Sequence, residues 1–146
     1  MKLFGFLGKK KEQKPAAPRY TPEQLIQGFR NNGKEATYFY DDVGLFRPAD
    51  TSFVKAEPGT YLRFKPEPGN PYDSDAMMVT DPDGGALGYL NRGKLRDMVK
   101  DFESRWEDTV SGIVVSGGDD VRVALSFIKR NRKKVLKEMG IEDDDD

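Results

Sequence analysis

Between Thr37 and Leu90 the chain never runs apolar for long. Short stretches rich in aromatic and branched residues are cut repeatedly by Pro, Gly, Asn and Asp. A helix needs an unbroken face at 3.6-residue spacing, and a long strand needs uninterrupted alternation. This texture permits neither and demands short strands joined by tight turns. The strands predicted are Thr37 to Phe46, with an irregularity at Asp41-Asp42, then Tyr61 to Lys65, Ala76 to Thr80, and Ala86 to Leu90. Asp81-Pro82-Asp83-Gly84-Gly85 makes a hairpin of the last two. A second hairpin is predicted from Thr109 to Ser116 and Asp120 to Lys129 across Gly117-Gly118. Ile113 and Val115 alternate on one strand, and Val121, Val123, Leu125 and Phe127 on the other. About six short strands suggest a small, closed or nearly closed antiparallel β-barrel with flanking helices, a mainly β fold.

Helical patterning is confined to three places. Thr21-Pro22-Glu23-Gln24 reads as a capping box with proline at the first helical position, Leu25, Ile26 and Phe29 as an apolar stripe, and Gly33 as the stop. Leu95, Met98, Val99, Phe102 and Trp106 fall on one helical face and are expected in the core. Asn131 to Met139 reads as a basic helix ended by Gly140. The organisation expected is a disordered basic tail and linker over 1–19, a short helix over 20–34, the barrel over 35–129, and a basic helix with an acidic tail over 130–146.

The 24 basic and 25 acidic side chains nearly cancel, but residues 142–146 are all acidic, so the preceding 141 carry a net +4. A basic body suits a polyanionic partner. The cations from Lys129 to Lys137 fit a phosphate backbone, an ordinary solvated helix face, or neutralisation in cis by the acidic run. The absence of Cys and His removes disulfides, thiolate nucleophiles, imidazole general bases and the usual zinc sites. There is no P-loop, so no nucleotide motor is expected, and no cofactor is called for. Metal-dependent nuclease chemistry would need clustered carboxylates. The internal candidates are Asp73 with Asp75 and Asp81 with Asp83, and the second pair reads as a turn. The opening apolar stretch is only a few residues long and runs into Lys9, Lys10 and Lys11, unlike a signal peptide. No run of about 20 apolar residues is present to span a membrane. The chain is therefore expected to be cytoplasmic, its start a disordered leader or a weak tether to anionic lipid.

The densest loop signal is Glu67-Pro68-Gly69-Asn70-Pro71-Tyr72-Asp73-Ser74-Asp75-Ala76. Two prolines stiffen it, Asn70 before a proline favours an extended or turn conformation, Asp73 can accept backbone hydrogen bonds, and Tyr72 and Asp73 stand at the entry to a strand. By pattern alone this is either a structural turn or a binding loop.

The stretch Tyr61 to Val79 containing Asn70-Pro71-Tyr72-Asp73-x-x-Ala76, followed by Gly88-Tyr89-Leu90-Asn91-Arg92 and preceded by Val43-Gly44-Leu45, resembles the HIRAN domain. That domain is found at the N-terminus of certain Swi/Snf-type fork-remodelling helicases and alone in bacterial proteins. The similarity spans about residues 37 to 129. It implies an OB-like barrel that captures the 3′-hydroxyl end of single-stranded DNA. By position, Tyr72 would stack on a terminal base, Asp73 would accept a hydrogen bond from the terminal hydroxyl, and Asn70 would hold the loop or touch the sugar-phosphate. Arg92 would meet a phosphate, and Tyr89 would add a second stacking surface. DNA-binding members carry Arg-Tyr after Val-Gly-Leu. This chain has Phe46-Arg47 instead, so the two chemical types either exchange faces or mark a shifted register. The family's late aromatic has Phe127 as its candidate, although its alternation places it in the core. The function expected is non-catalytic recognition of a single-stranded DNA end, or of another nucleic acid, with any remodelling supplied by a helicase or nuclease partner. The alternative is a protein-interaction adaptor that uses the same groove for a peptide.

Overall fold

A computed structural model describes residues 19–142. It opens on helix α1 (Pro22–Gly33), and its first side chains explain where the helix begins. Thr21 Oγ1 accepts the Gln24 N–H at 3.1 Å while Gln24 Oε1 accepts the Thr21 N–H at 2.8 Å. Each bond satisfies a donor that a helix start leaves open. Leu25, Ile26 and Phe29 pack with Phe39, Ile113, Val115 and Ala124. Gly33 is the last helical residue, but for a packing reason: a Cβ there would collide with the Phe39 ring. The glycine allows helix and strand to approach closely.

Six strands follow: β1 (Tyr38–Phe46), β2 (Arg63–Pro66), β3 (Met77–Thr80), β4 (Ala86–Leu90), β5 (Thr109–Ser116) and β6 (Arg122–Ile128). They form one antiparallel sheet in the order β2-β3-β4-β1-β6-β5. Helix α2 (Lys94–Glu103) connects β4 to β5, and α3 (Arg132–Glu138) follows β6. The sheet curls until its edges meet. Just before β2, the Gly59 N–H donates to Val114 O at 2.8 Å, Leu62 N–H to Gly112 O at 3.0 Å, and Val114 N–H to Thr60 O at 2.9 Å. Tyr61 bridges Ile113. One extended run over 59–66 therefore pairs first with β5 and then with β3, which joins the two edges. This is the expected OB-like barrel with flanking helices.

The irregularity expected in β1 is present. Register shifts between Tyr40 and Val43, and Asp42 adopts φ 58°. Arg122 holds the bulge through Asp42 Oδ1 at 3.1 Å and Asp42 O at 2.7 Å. Such a bulge bends a strand, and β1 pairs with β6 along most of its length and with β4 at its end. Inside lie Met77, Val79, Leu87, Val99, Phe102, Val114, Val123, Leu125 and Phe127. Phe127 is fully buried, as its alternation requires. Ala124, on the opposite face of β6, is also buried because α1 covers it.

The core assignment of Trp106 is wrong. Helix α2 stops at Glu103, where the Ser104 N–H closes onto Lys100 and Asp101 carbonyls so that the chain can reverse into β5. Trp106 therefore leaves the helical face and is 52% exposed, with the Arg132 guanidinium 5.5 Å from its ring centroid. Helix α3 begins on Asn131, whose Oδ1 accepts the Lys134 N–H at 3.0 Å, and buries Val135 and Leu136. Apart from Arg19 and Glu142, the predicted basic leader and acidic run lie outside the described residues. Among the described residues no helix is long and apolar enough to cross a membrane.

Candidate nucleic-acid interface

The loop between β2 and β3 is built around Asn70. Its Oδ1 accepts the N–H groups of Tyr72 and Asp73 at 2.9 and 3.1 Å, and its Nδ2 donates to Glu67 Oε1 at 3.2 Å. Asn70 N–H donates to Glu67 O, and Ala76 N–H to Asp73 O, closing the loop at both ends. Asn70 thus commits its side chain to the loop, the first of the two roles open to it. The scaffold leaves Tyr72 82% exposed.

Asp73 is fixed from three directions. Its Oδ1 accepts the Asp75 N–H at 2.9 Å, and its Oδ2 accepts Arg96 Nη1 at 2.6 Å and Arg92 Nη2 at 3.2 Å. The Arg96 guanidinium foremost, then the Asp75 N–H and Arg92, hold the carboxyl at about 2, well below its ordinary value of 3.8. Arg96 is buried, whereas the Arg92 side chain is 75% exposed. Asp75 pairs with Lys100 at 2.6 Å, which lowers its pKa in turn.

Glu67, Asn70, Tyr72, Asp73, Arg92 and Arg96 line an open trough of about 1090 Å³ that also includes Phe46, Lys65, Tyr89 and Asn91. Phe46 lies opposite Tyr89 in the β1–β4 register, so both rings share one face of the sheet. The Tyr89 hydroxyl donates to Glu67 Oε1 at 2.7 Å, and its ring meets Phe53 in a T-shaped contact. Burial, with the Glu67 carboxylate beside it, pushes that hydroxyl up to about 12.

Six of the seven residues singled out by sequence meet in this trough: Phe46, Asn70, Tyr72, Asp73, Tyr89 and Arg92. Arg47 does not. Its Nε donates to Leu87 O at 2.8 Å, its Nη2 to Val54 O at 2.9 Å, and it lies over the Phe53 ring, tying the following loop to β4. Arg47 follows the last residue of β1, and these contacts hold it outside the trough's lining. Arg96 is the residue that sequence reading misses, because it sits among the apolar positions of α2. No local pattern marks it, because its partner Asp73 lies 23 residues earlier in the chain.

Chemically the trough offers open aromatic faces, an ionised carboxylate and an exposed guanidinium. Its acids Asp50, Glu67 and Asp73 equal its cations Lys65, Arg92 and Arg96 in number. Asp81 uses Oδ1 to accept the N–H groups of Asp83 and Gly85, confirming a turn there. Among the described residues no His, Cys, Asp and Glu side chains cluster as a metal site.

The HIRAN domain family model matches residues 36–130, from just before β1 to just past β6. Among solved structures, the chain is similar to the crystal structure of the HIRAN domain of human HLTF. The identity is 19%, the match covers 71% of this chain and 90% of that one, and the TM-score is 0.48. A comparison with curated proteins returned no match. A family match that takes in all six strands and well over half of the chain makes this protein a member of the HIRAN domain family.

Proposed function

We propose that this chain is a DNA-binding module that captures the 3′-hydroxyl end of a single strand in the trough, without catalysing a reaction. Membership of a family known generally for DNA binding supports the class of ligand. The observation that carries the finer reading is the open Tyr72 ring standing next to the fixed Asp73 carboxylate. A terminal base stacks on Tyr72, with Phe46 and Tyr89 forming the facing wall, and base–aromatic stacking tolerates any base. Asp73 accepts the terminal hydroxyl, and exposed Arg92 meets the last phosphate. Arg96 balances the charge of Asp73, so the acid stands in the trough without repelling the strand as a bare carboxylate would. The engagement of Asp73 and Asp75 by Arg and Lys supports binding over metal-assisted hydrolysis. A partner helicase or nuclease would supply any motor or cutting activity.

Fluorescence anisotropy with strands ending in a free 3′-hydroxyl, a 3′-phosphate or a blocked 3′ carbon tests the proposal. The hydroxyl end should bind most tightly, and Asp73→Asn should abolish the preference. Equal, strongly salt-dependent binding of all three would refute end recognition. Absence of binding would turn the reading toward a peptide-binding adaptor.

A further inference from the structure

The trough lies on one flank of α2, where Arg96 and Lys100 reach Asp73 and Asp75. About half a turn around the helix, Lys94, Met98 and Asp101 face Tyr38, Tyr40 and Lys129 across a second groove of about 210 Å³. Arg92, which lines the trough, and Lys94, which lines the groove, are two residues apart at the start of α2.

The groove has the make-up of a binding surface. Tyr38 is 41% exposed, yet its ring is set by an edge contact with Phe102 at 6.4 Å, so it presents an immobilised aromatic face. Tyr40 donates its hydroxyl to the Met98 sulfur at 3.7 Å, a weak acceptor that a better one would displace. Lys94 and Lys129 are exposed and enter no ion pair among the described residues, while the groove's acid, Asp101, is taken by Arg105. Past Lys129 the chain enters α3, where Arg132 lies over exposed Trp106, again joining a cation to an open ring. Unpaired cations alternating with aromatic faces are what a single strand needs along its path.

We propose that this groove is a second nucleotide subsite, holding the sugar-phosphates and bases upstream of the end seated in the trough. The inference rests on the reading of the trough as a strand-end site. The strand passes Arg92, rounds the start of α2 at Lys94, and runs between Tyr38 and α2 toward Lys129. A barrel that held only a terminus would bind short and long strands alike. With the groove, the site extends into the range of roughly four or more nucleotides known for barrels of this size.

The test uses the full chain and labelled oligothymidylates, from dinucleotide to decanucleotide, each with a free 3′-hydroxyl, at several salt concentrations. Affinity should rise with length. Lys94→Glu combined with Lys129→Glu should remove that gain and lower the salt slope by about 1.4, since each single-strand phosphate left without its lysine accounts for about 0.7. The preference for 3′-hydroxyl over 3′-phosphate on the shortest strand should survive in that variant. Tyr38→Ala should cut the length gain at least about fivefold. A length gain and salt slope unchanged in the double variant, with end preference intact, overturns the groove and spares the trough. Disappearance of the length gain in the double variant, with no end preference in either protein, sinks the trough reading and supports the groove as a general strand surface. No binding of any oligonucleotide overturns both.

Discussion

Replacing Tyr72 with alanine separates binding from folding. The ring is 82% exposed, and the contact that orders this part of the loop is made by the Tyr72 N–H to Asn70, which alanine keeps. Stability should therefore change by less than about 0.5 kcal/mol, as for an ordinary surface site. Binding should respond differently. Stacking of one base on one aromatic ring is worth about 1–3 kcal/mol, which at about 1.4 kcal/mol per tenfold is a loss of roughly 5- to 150-fold. A loss of that size could also come from a disturbed loop, so the assay needs the ligand's half of the contact. An oligonucleotide whose 3′-terminal residue is abasic but keeps its hydroxyl removes the base and leaves the rest. In the natural protein the abasic end should bind about 5- to 150-fold more weakly than the normal end. In Tyr72→Ala the difference between the two ends should shrink by the share that Tyr72 supplies, leaving only the contacts with Phe46 and Tyr89, a coupling of about 1–3 kcal/mol in the cycle. Tyr72→Phe should retain most of the wild-type behaviour, since the face and not the hydroxyl does the stacking. Equal sensitivity to base removal in wild type and Tyr72→Ala would show that ring and base never meet.

Asp73 is held at about 2 against an ordinary 3.8, so its pairing stabilises the fold above about pH 4, and that contribution is lost as pH falls through 2. Arg96→Gln should move the Asp73 carboxyl titration, followed by NMR, back toward its ordinary range; an unmoved titration would discount the guanidinium as the cause. Tyr89→Phe removes the hydroxyl that Glu67 accepts at 2.7 Å. It should cost about 0.5–1.5 kcal/mol in urea unfolding, and no cost would mean that this bond does not brace the loop. Gly117→Ala would drive a Cβ into the Ala56 carbonyl, a backbone atom that cannot step aside. It should cost about 1–3 kcal/mol by overpacking, visible as a lower melting temperature, whereas an unchanged one would show that the hairpin can shift.

What is legible in this sequence is what local chemistry controls. The capping box at Thr21, the β1 irregularity at Asp41-Asp42, the spans of β4 and β5, and the turn at Asp81 each depend on residues within a few positions of one another. Most of the candidate site is legible too, because one rigid loop supplies Asn70, Tyr72 and Asp73, and the paired strands β4 and β1 supply Tyr89 and Phe46. The failures need long-range information. Trp106 keeps helical spacing, but the need to start β5 ends the helix before it. Arg96 looks out of place on the buried face of α2 until Asp73, 23 residues earlier, is brought within 2.6 Å of it. The closure of the barrel rests on residues 59–62 pairing with β5, some fifty positions away, and no local pattern marks that.

The exchanged order at Phe46-Arg47 has an electrostatic consequence. The family resemblance implies a strand arginine free to meet phosphate, but here Arg47 is bound to the main-chain carbonyls of Leu87 and Val54 and does not line the trough. A second guanidinium still reaches the trough, now from α2 as Arg96, and its setting differs: it is buried and directs its charge at Asp73. Arg92, exposed and only loosely shared with the same carboxylate at 3.2 Å, is left as the trough arginine available to a phosphate. The two arginines should therefore fail in different ways. Arg92→Ala should lower the salt slope of single-strand binding by about 0.7, the value for one phosphate, and weaken all ends alike. Arg96→Gln should change that slope much less, because a charge already neutralised by a neighbour displaces few counterions, yet it should erode discrimination between hydroxyl and phosphate ends by freeing Asp73 to turn. Anisotropy titrations over a range of salt read both quantities at once. If Arg96→Gln lowers the slope as much as Arg92→Ala while end discrimination stays intact, Arg96 is a phosphate ligand and the division of labour between the two arginines is wrong.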